Sequence, residues 1–366
     1  MNNDSKISPL GICFLSTFLY RSFYIIGLFN LIIAISRNDS IFSIILGSIF
    51  GLILVKCYFY INDKMPSKNI FEKINIVFPK LIAKLFIFIL IILFLVISSY
   101  ILYNLSLFIN YNLLNDINIL PISILLVLSC IYLASKGINT ITRTSGIFIF
   151  ILIFLVIISL VALLNYSNPV NLYPLLTNDF FNIYESSIYY SILSVTPLFL
   201  LLIIPKDKIE CNKKYSKYMI TAYIVNSVYL LISFILVISI LGIKLTRILN
   251  YPDIIVLQKV SLLNFIERIE DIISFKFMFD GFLLVAVTIF YIKEGIISLF
   301  KIKPHNNIVI VPGLIILIMS IYLSSITLKF IIWLLLVVLV IHFFLMLFIK
   351  KKHKSFTLVS QKIIKI

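Results

Sequence analysis

Charge is what this chain has least of. Only 13% of its 366 residues are Asp, Glu, Lys or Arg, where a soluble domain carries about 25%. With 61% apolar residues beside that, no water-soluble globular fold fits. Histidine is nearly missing too. His305, His342 and His353 lie far apart, and the chain has no H-E-x-x-H, no G-x-S-x-G and no P-loop. The expectation is a protein without metal, without cofactor and without catalytic chemistry. Its four cysteines, Cys13, Cys57, Cys130 and Cys211, are scattered with no C-x-x-C pair, which predicts no structural disulfide. No cleavable leader is expected either. The first apolar stretch is too long for a signal-peptide core and no small-residue cleavage site follows it, so it is expected to remain as the first span.

What the chain does have is apolar length. A helix needs about 20 apolar residues to cross a bilayer. Ten stretches qualify, at roughly 10–35, 40–61, 81–110, 119–136, 141–165, 182–204, 217–243, 272–298, 308–326 and 328–349. The fold class is therefore an all-α membrane protein, a single integral domain over 1–366 whose last two spans form a tight hairpin. The 32 Phe and 20 Tyr suit lipid contact and interfacial belts.

The net charge of +16 looks like a nucleic-acid signal until its distribution is read. With the N-terminus placed inside, 23 of the 31 lysines and arginines fall in inner segments and 7 in outer ones, leaving Arg21 within the membrane. That bias predicts both termini in the cytoplasm. The partner of the positive charge is the lipid bilayer, not nucleic acid.

Between spans seven and eight, residues 244–271 form an outer segment that is more than a loop. Leu262, Ile266, Ile269 and Ile273 recur at the helical period, while Glu267, Arg268, Glu270 and Asp271 take the other face. This predicts an amphipathic helix over 254–274, docked on the bundle or capping it in solvent, with Glu267 and Arg268 as coupling candidates.

Ten spans also suggest two inverted repeats of five, with the first span of each half interrupted at the site. The centre of span one carries Ser16, Thr17, Tyr20, Arg21 and Ser22. A guanidinium at that depth costs about 2.5–3.5 kcal/mol on insertion scales, so it faces a partner, a cavity or a ligand. The centre of span six carries Ser191, Ser194, Thr196 and Pro197. The proline removes a backbone donor and clashes with the preceding turn, so a break is expected there. Thr17, Tyr20, Arg21, Ser22, Ser191, Ser194, Thr196 and Pro197 are thus candidate binding residues, with Tyr103 and Asn104 of span three facing the same cavity. For Arg21 the structural alternative is an ion pair with Asp280 in span eight. Lys276 and Asp280, four apart, could equally neutralise each other. For the hydroxyls the alternative is bonding back to their own helical turn.

Against this map several segments stand out: Pro66-Ser-Lys-Asn-Ile-Phe-Glu72, Ala134-Ser-Lys-Gly-Ile-Asn-Thr-Ile-Thr-Arg143, Asn171-Leu-Tyr-Pro-Leu-Leu176, Gly242, Tyr251-Pro252 and Phe265-Ile-Glu-Arg-Ile269. In order and spacing they resemble the B-subunit family of bacterial spore germination proteins, itself similar to amino acid permeases. The resemblance implies an inverted five-plus-five fold of the amino acid permease and LeuT type with broken helices one and six. It implies a receptor subunit in the spore inner membrane that binds a small nutrient germinant, an amino acid or similar. Its partners would be a larger membrane subunit and a lipoprotein subunit. An H⁺- or Na⁺-coupled amino acid permease is the alternative. Relatives of the permease type tend to open the first helix at small glycines; here the centre has Tyr20, Arg21 and Ser22, with Gly11 and Gly27 to either side.

Overall fold

The computed structural model describes residues 6–114, 118–210, 212–258, 269–323 and 325–363. Thirteen α-helices are found among them and no strand. Seven helical stretches are long and apolar enough to cross a membrane. Two further apolar helices, Ile119–Ser135 and Asn306–Tyr322, are shorter.

The first apolar run is two helices. α1 (Pro9–Arg21) ends at Arg21, a π turn covers Tyr24–Leu28, and α2 (Phe29–Ser36) resumes after it. Gly27 makes the break possible. Its φ of 117° lies where side-chain-bearing residues are strained. α3 (Ser40–Asp63) follows, then a short helix α4 (Ile70–Val77), then α5 (Lys80–Leu113), α6 (Ile119–Ser135) and α7 (Ile138–Leu164). The second half opens with α8 (Phe180–Val195), which gives way to a 3₁₀ stretch over Thr196–Ile203. Pro197 sits at the start of that stretch, where a missing N–H is tolerated. α9 (Asn212–Ile248), a short α10 (Pro252–Gln258), α11 (Ile269–Phe300), α12 (Ile310–Tyr322) and α13 (Leu328–Ile363) complete the chain.

Small residues set the closest packing. Gly47 and Gly51 form a G-x-x-x-G stripe on α3, and a Cβ on Gly47 would come within 2.7 Å of the Ser187 carbonyl and of the Tyr190 ring on α8. In lipid, where apolar contact itself gives little drive, such close approach is what joins helices. Ser186 on α8 donates to Ser43 of α3 at 2.7 Å and closes the same interface.

The two ends of the bundle are tied differently. At the end that carries the N-terminus, Ile7 forms a parallel bridge with Ile209. The Ile7 N–H donates to the Lys208 carbonyl at 2.8 Å, and the Glu210 N–H donates to the Ile7 carbonyl at 3.0 Å. Lys206 pairs with Asp63 at 2.6 Å, and the buried Lys73 ammonium of α4 caps the last carbonyls of α3, Ile61 and Asn62. At the opposite end the Asp39 carboxylate collects the N–H groups of Leu176, Thr177 and Asn178, which moulds the 171–178 loop onto the turn between α2 and α3.

One expectation falls outside what is described. Residues 259–268 lie outside the described residues, and with them Leu262, Ile266, Glu267 and Arg268, so the amphipathic helix over 254–274 cannot be followed as one element. To either side of them α10 ends at Gln258 and α11 begins at Ile269.

Candidate functional site at the two helix breaks

The break in the first run delivers Arg21 to the interior. Its side chain is 2% exposed, and Nη2 lies 3.2 Å from Asp280 Oδ2 of α11, itself 1% exposed. Asp280 thus pairs with Arg21, and the Lys276–Asp280 pairing that their spacing also allowed is not the one formed. The reason is geometric. The Lys276 ammonium lies over the Phe277 ring at 4.6 Å, and no carboxylate oxygen of a described residue comes within 4 Å of it. The Arg21 guanidinium rests on the Tyr229 ring of α9, 4.8 Å from its centroid.

The ion pair is held by charge without aligned hydrogen bonds. Arg21 Nε and Nη2 and both Asp280 oxygens have no hydrogen-bond partner among the described residues. A buried polar group left so costs about 1–3 kcal/mol. The pair at the first break is thus an ionic contact, with these polar atoms buried and without hydrogen bonds among the described residues.

Tyr20 is spoken for. Its hydroxyl bonds to Tyr190 of α8 and Ser227 of α9, each at 2.8 Å. Because Ser227 donates to the Tyr223 carbonyl, Tyr20 donates to Ser227 and accepts from Tyr190. This hydroxyl chain ties α1 to both α8 and α9. Four other candidates bond to their own turns: Thr17 to the Cys13 carbonyl, Ser22 to Leu19, Ser191 to Ile188 and Ser194 to Tyr190. Deep in a helix the nearest acceptor is the carbonyl three or four residues back, and these hydroxyls take it. Thr196 differs. It lies at the break, where the regular ladder ends, and its buried Oγ1 has no partner among the described residues. Asn104 of α5 donates to the Tyr100 carbonyl, and Tyr103 is half-buried with no described hydrogen bond to the other candidates.

Sequence reasoning missed the residues beside the pair. A small cavity of about 20 Å³ lies on the α10 side of Tyr229, lined among others by Tyr24, Ser159, Ser233, Asp253 and Lys276. Tyr24 Oη and Asp253 Oδ2 are buried there without a hydrogen-bond partner among the described residues. Asp253 was legible only as one charge of an outer segment, and nothing in the local pattern aims it inward. Among the described residues no group of three or more His, Cys, Asp or Glu side chains could hold a metal.

Two interrupted helices, the first of them tied to α11 by a buried arginine–carboxylate pair, are the architecture of a permease-type membrane fold. Solved structures agree at the level of fold. The chain resembles a nucleobase-cation-symport-1 family transporter in a closed conformation with bromovinylhydantoin bound, with a TM-score of 0.66 at 14% identity over 93% of this chain and 78% of that one. It also resembles a Na⁺-coupled sialic acid symporter in a substrate-bound outward-open state, with a TM-score of 0.64 at 14% identity over 86% and 73%. The fold is thus the all-helical inverted-repeat type with broken helices one and six. The spore germination protein family matches residues 6–327, and the chain belongs to it. One relative is spore germination protein KB of Bacillus subtilis strain 168, 24% identical over 294 residues, 80% of this chain and 79% of that protein.

Proposed function

We propose that this chain is the ligand-sensing subunit of a spore germinant receptor, and that a small nutrient binds at the junction of the two helix breaks. The observation that carries the reading is the Arg21–Asp280 pair, buried beside the first break and held without an aligned hydrogen bond. A permanent structural bridge would be expected to use its hydrogen bonds; one that must open for a ligand need not. Arg21, Thr196 and the Tyr20 hydroxyl chain would form the contact and its frame. Thr17, Ser22, Tyr103, Asn104, Ser191, Ser194 and Pro197 would shape the cavity more than touch the ligand.

The rest of the proposal follows the charge pattern. The chain would cross the spore inner membrane ten times, with both termini cytoplasmic, and would act with a larger membrane subunit and a lipoprotein subunit. The outer segment 244–271 would relay binding to them. The second reading is a secondary active permease coupled to H⁺ or Na⁺, which the likeness to symporter folds favours. The test is a deletion strain. Loss of germination with one class of nutrient, with no nutrient uptake into vesicles bearing the protein, supports the receptor. Saturable uptake supports the permease. Normal germination with every nutrient would reject the receptor.

A further inference from the structure

The loop that joins α7 to α8 is built inside out. Residues 164–178 include no Asp, Glu, Lys, Arg or His. The polar groups they do have turn to the protein. The Asn168 N–H and the Asn171 side-chain amide both donate to the Ser239 carbonyl of α9, at 3.2 and 2.7 Å. Asn38, in the turn between α2 and α3, donates to the Leu172 and Pro174 carbonyls. Beside it the Asp39 carboxylate takes the N–H groups of Leu176, Thr177 and Asn178, and the Asn178 side chain donates to the Ser36 carbonyl. Within the loop the Val170 N–H goes to the Asn168 side chain and the Tyr173 N–H to the Val170 carbonyl. Pro169 and Pro174 have no N–H to place.

What faces outward is apolar. Val170, Tyr173 and Leu176 are 71%, 67% and 71% exposed. Leu176 also holds a φ of 58°, in the left-handed region where glycine or asparagine sits easily and leucine is strained. A leucine kept there with its side chain uncovered adds nothing to the fold by its own packing.

We propose that this loop is a brace seated in the bilayer, its apolar side chains entering the headgroup layer at the end of the bundle away from the N-terminus. Two observations choose lipid over a partner protein. The patch continues a lipid-facing surface at both of its ends. Leu164 closes α7 and Phe180 and Phe181 open α8, all three exposed on the outermost turns of membrane-crossing helices. The second observation is the bonding. Irregular backbone is tolerated at membrane depth only where its hydrogen bonds are met inside the protein, and the bonds above meet that condition. A loop made for a protein partner could leave such groups to pair across the interface. Tyr173 adds a ring with a polar tip, the kind of side chain that settles at headgroup level. The brace is bonded to Ser36, at the end of the half-helix beyond the first break, and it leads into α8, which carries the second. Movement of either break at this end therefore drags the loop through the headgroup layer, and lipid packing bears on both. This holds for a receptor and a permease alike.

Trp333 is the chain's single tryptophan, so Trp333→Phe with Tyr173→Trp leaves one fluorophore, in the loop. The full chain with both changes is reconstituted into phosphatidylcholine–phosphatidylglycerol vesicles whose acyl chains are brominated either near the headgroup or near the chain end. Emission should shift to the blue and lose most of its intensity to the shallow bromine, less to the deep one. Iodide present on both sides of the vesicle should quench little. Adding Leu176→Asp puts a charge into the layer and should reverse the pattern, iodide gaining and bromine losing, with a size-exclusion profile like the parent's to show that the variant folds. Strong iodide quenching with no response to either brominated lipid would overturn the brace, whatever the Leu176 variant does. An unmoved pattern in a folded Leu176→Asp would reject it as well. Shielding from iodide that appears only in spore membranes, and is missing in the vesicles, would give the patch to a protein and refute the lipid seat.

Discussion

Arg21 was the most conspicuous side chain of the sequence, and its partner Asp280 was named there as one of two possibilities. The structure forms that pair at 3.2 Å. Breaking it leaves one charge buried alone, which costs about 3–5 kcal/mol in proteins at large. Arg21→Ala and Asp280→Ala should therefore each deplete the protein from spore membranes, and Arg21→Leu with Asp280→Leu should restore its level. Restored protein with no nutrient response is the expected result. A normal response in the double variant would make the pair a strut and remove the ligand from it. Thr196→Val separates the same roles from the other break. Its hydroxyl has no partner to lose, so protein level should hold while the nutrient concentration needed rises by a hydrogen bond's worth, about 0.5–1.5 kcal/mol. Equal dose curves would show that Thr196 meets no ligand. The serines could not be sorted this way from sequence. Whether a hydroxyl turns to its own helix or to a cavity depends on where the ladder ends, and only the backbone tells that.

Helix breaks were legible as to which spans, less so as to where. Polar residues centred the first break on Tyr20 to Ser22, where α1 indeed ends at Arg21, but the positive-φ turn falls at Gly27, six residues further on. A run of polar side chains marks what faces the interior, whereas the bend falls where a residue tolerates positive φ. Gly27→Ala should cost about 1–3 kcal/mol through strain at φ 117° and lower the melting temperature of the purified chain. An unchanged melting temperature would mean the turn relaxes freely. The periodicity around Leu262 and Ile266 lies outside the described residues, while α10, seven residues long, is too short for periodicity to register. Burial pushes the Asp253 carboxyl of α10 up to about 6, opposed by the Lys276 ammonium. The other charged or titratable groups around it are Tyr24 of the π turn, Tyr229 of α9, Tyr251 and, behind Tyr229, Arg21. A carboxyl raised by burial burdens the packed state of α10 above about pH 6 and releases it below. Amide hydrogen exchange over 252–258, corrected for intrinsic rates, should slow from pH 7 to pH 5, and Asp253→Asn should abolish the difference. Exchange that quickens on acidification would contradict a carboxyl that gains by protonation when covered.

For the whole molecule, apolar length and the permease-type architecture came through the sequence well because lipid demands both from every span. The strap at the N-terminal end did not. Ile7 and Ile209 are two isoleucines in unremarkable loops, and a bridge between residues so far apart leaves no periodic trace. Its position makes it consequential. The 206–210 segment follows the 3₁₀ stretch of the second break, so the bridge to Ile7 is expected to restrain that half-helix at its end of the bundle. Ile7→Pro removes the N–H that Lys208 accepts while leaving the carbonyl bonded to Glu210. One backbone hydrogen bond is worth about 0.5–1.5 kcal/mol, so the open population should rise by roughly two- to tenfold. A Ser194→Cys reporter, compared with the native cysteines as background, should then react faster with a membrane-impermeant thiol reagent added from the N-terminal side. In sealed vesicles of known orientation the same reagent fixes the sidedness, with the N-terminal end expected to be cytoplasmic from the basic residues gathered there. Labelling that is unchanged by Ile7→Pro would mean the strap is not what keeps this end closed. Faster labelling only from the opposite side would place the second break under the control of α10 and the 171–178 loop instead.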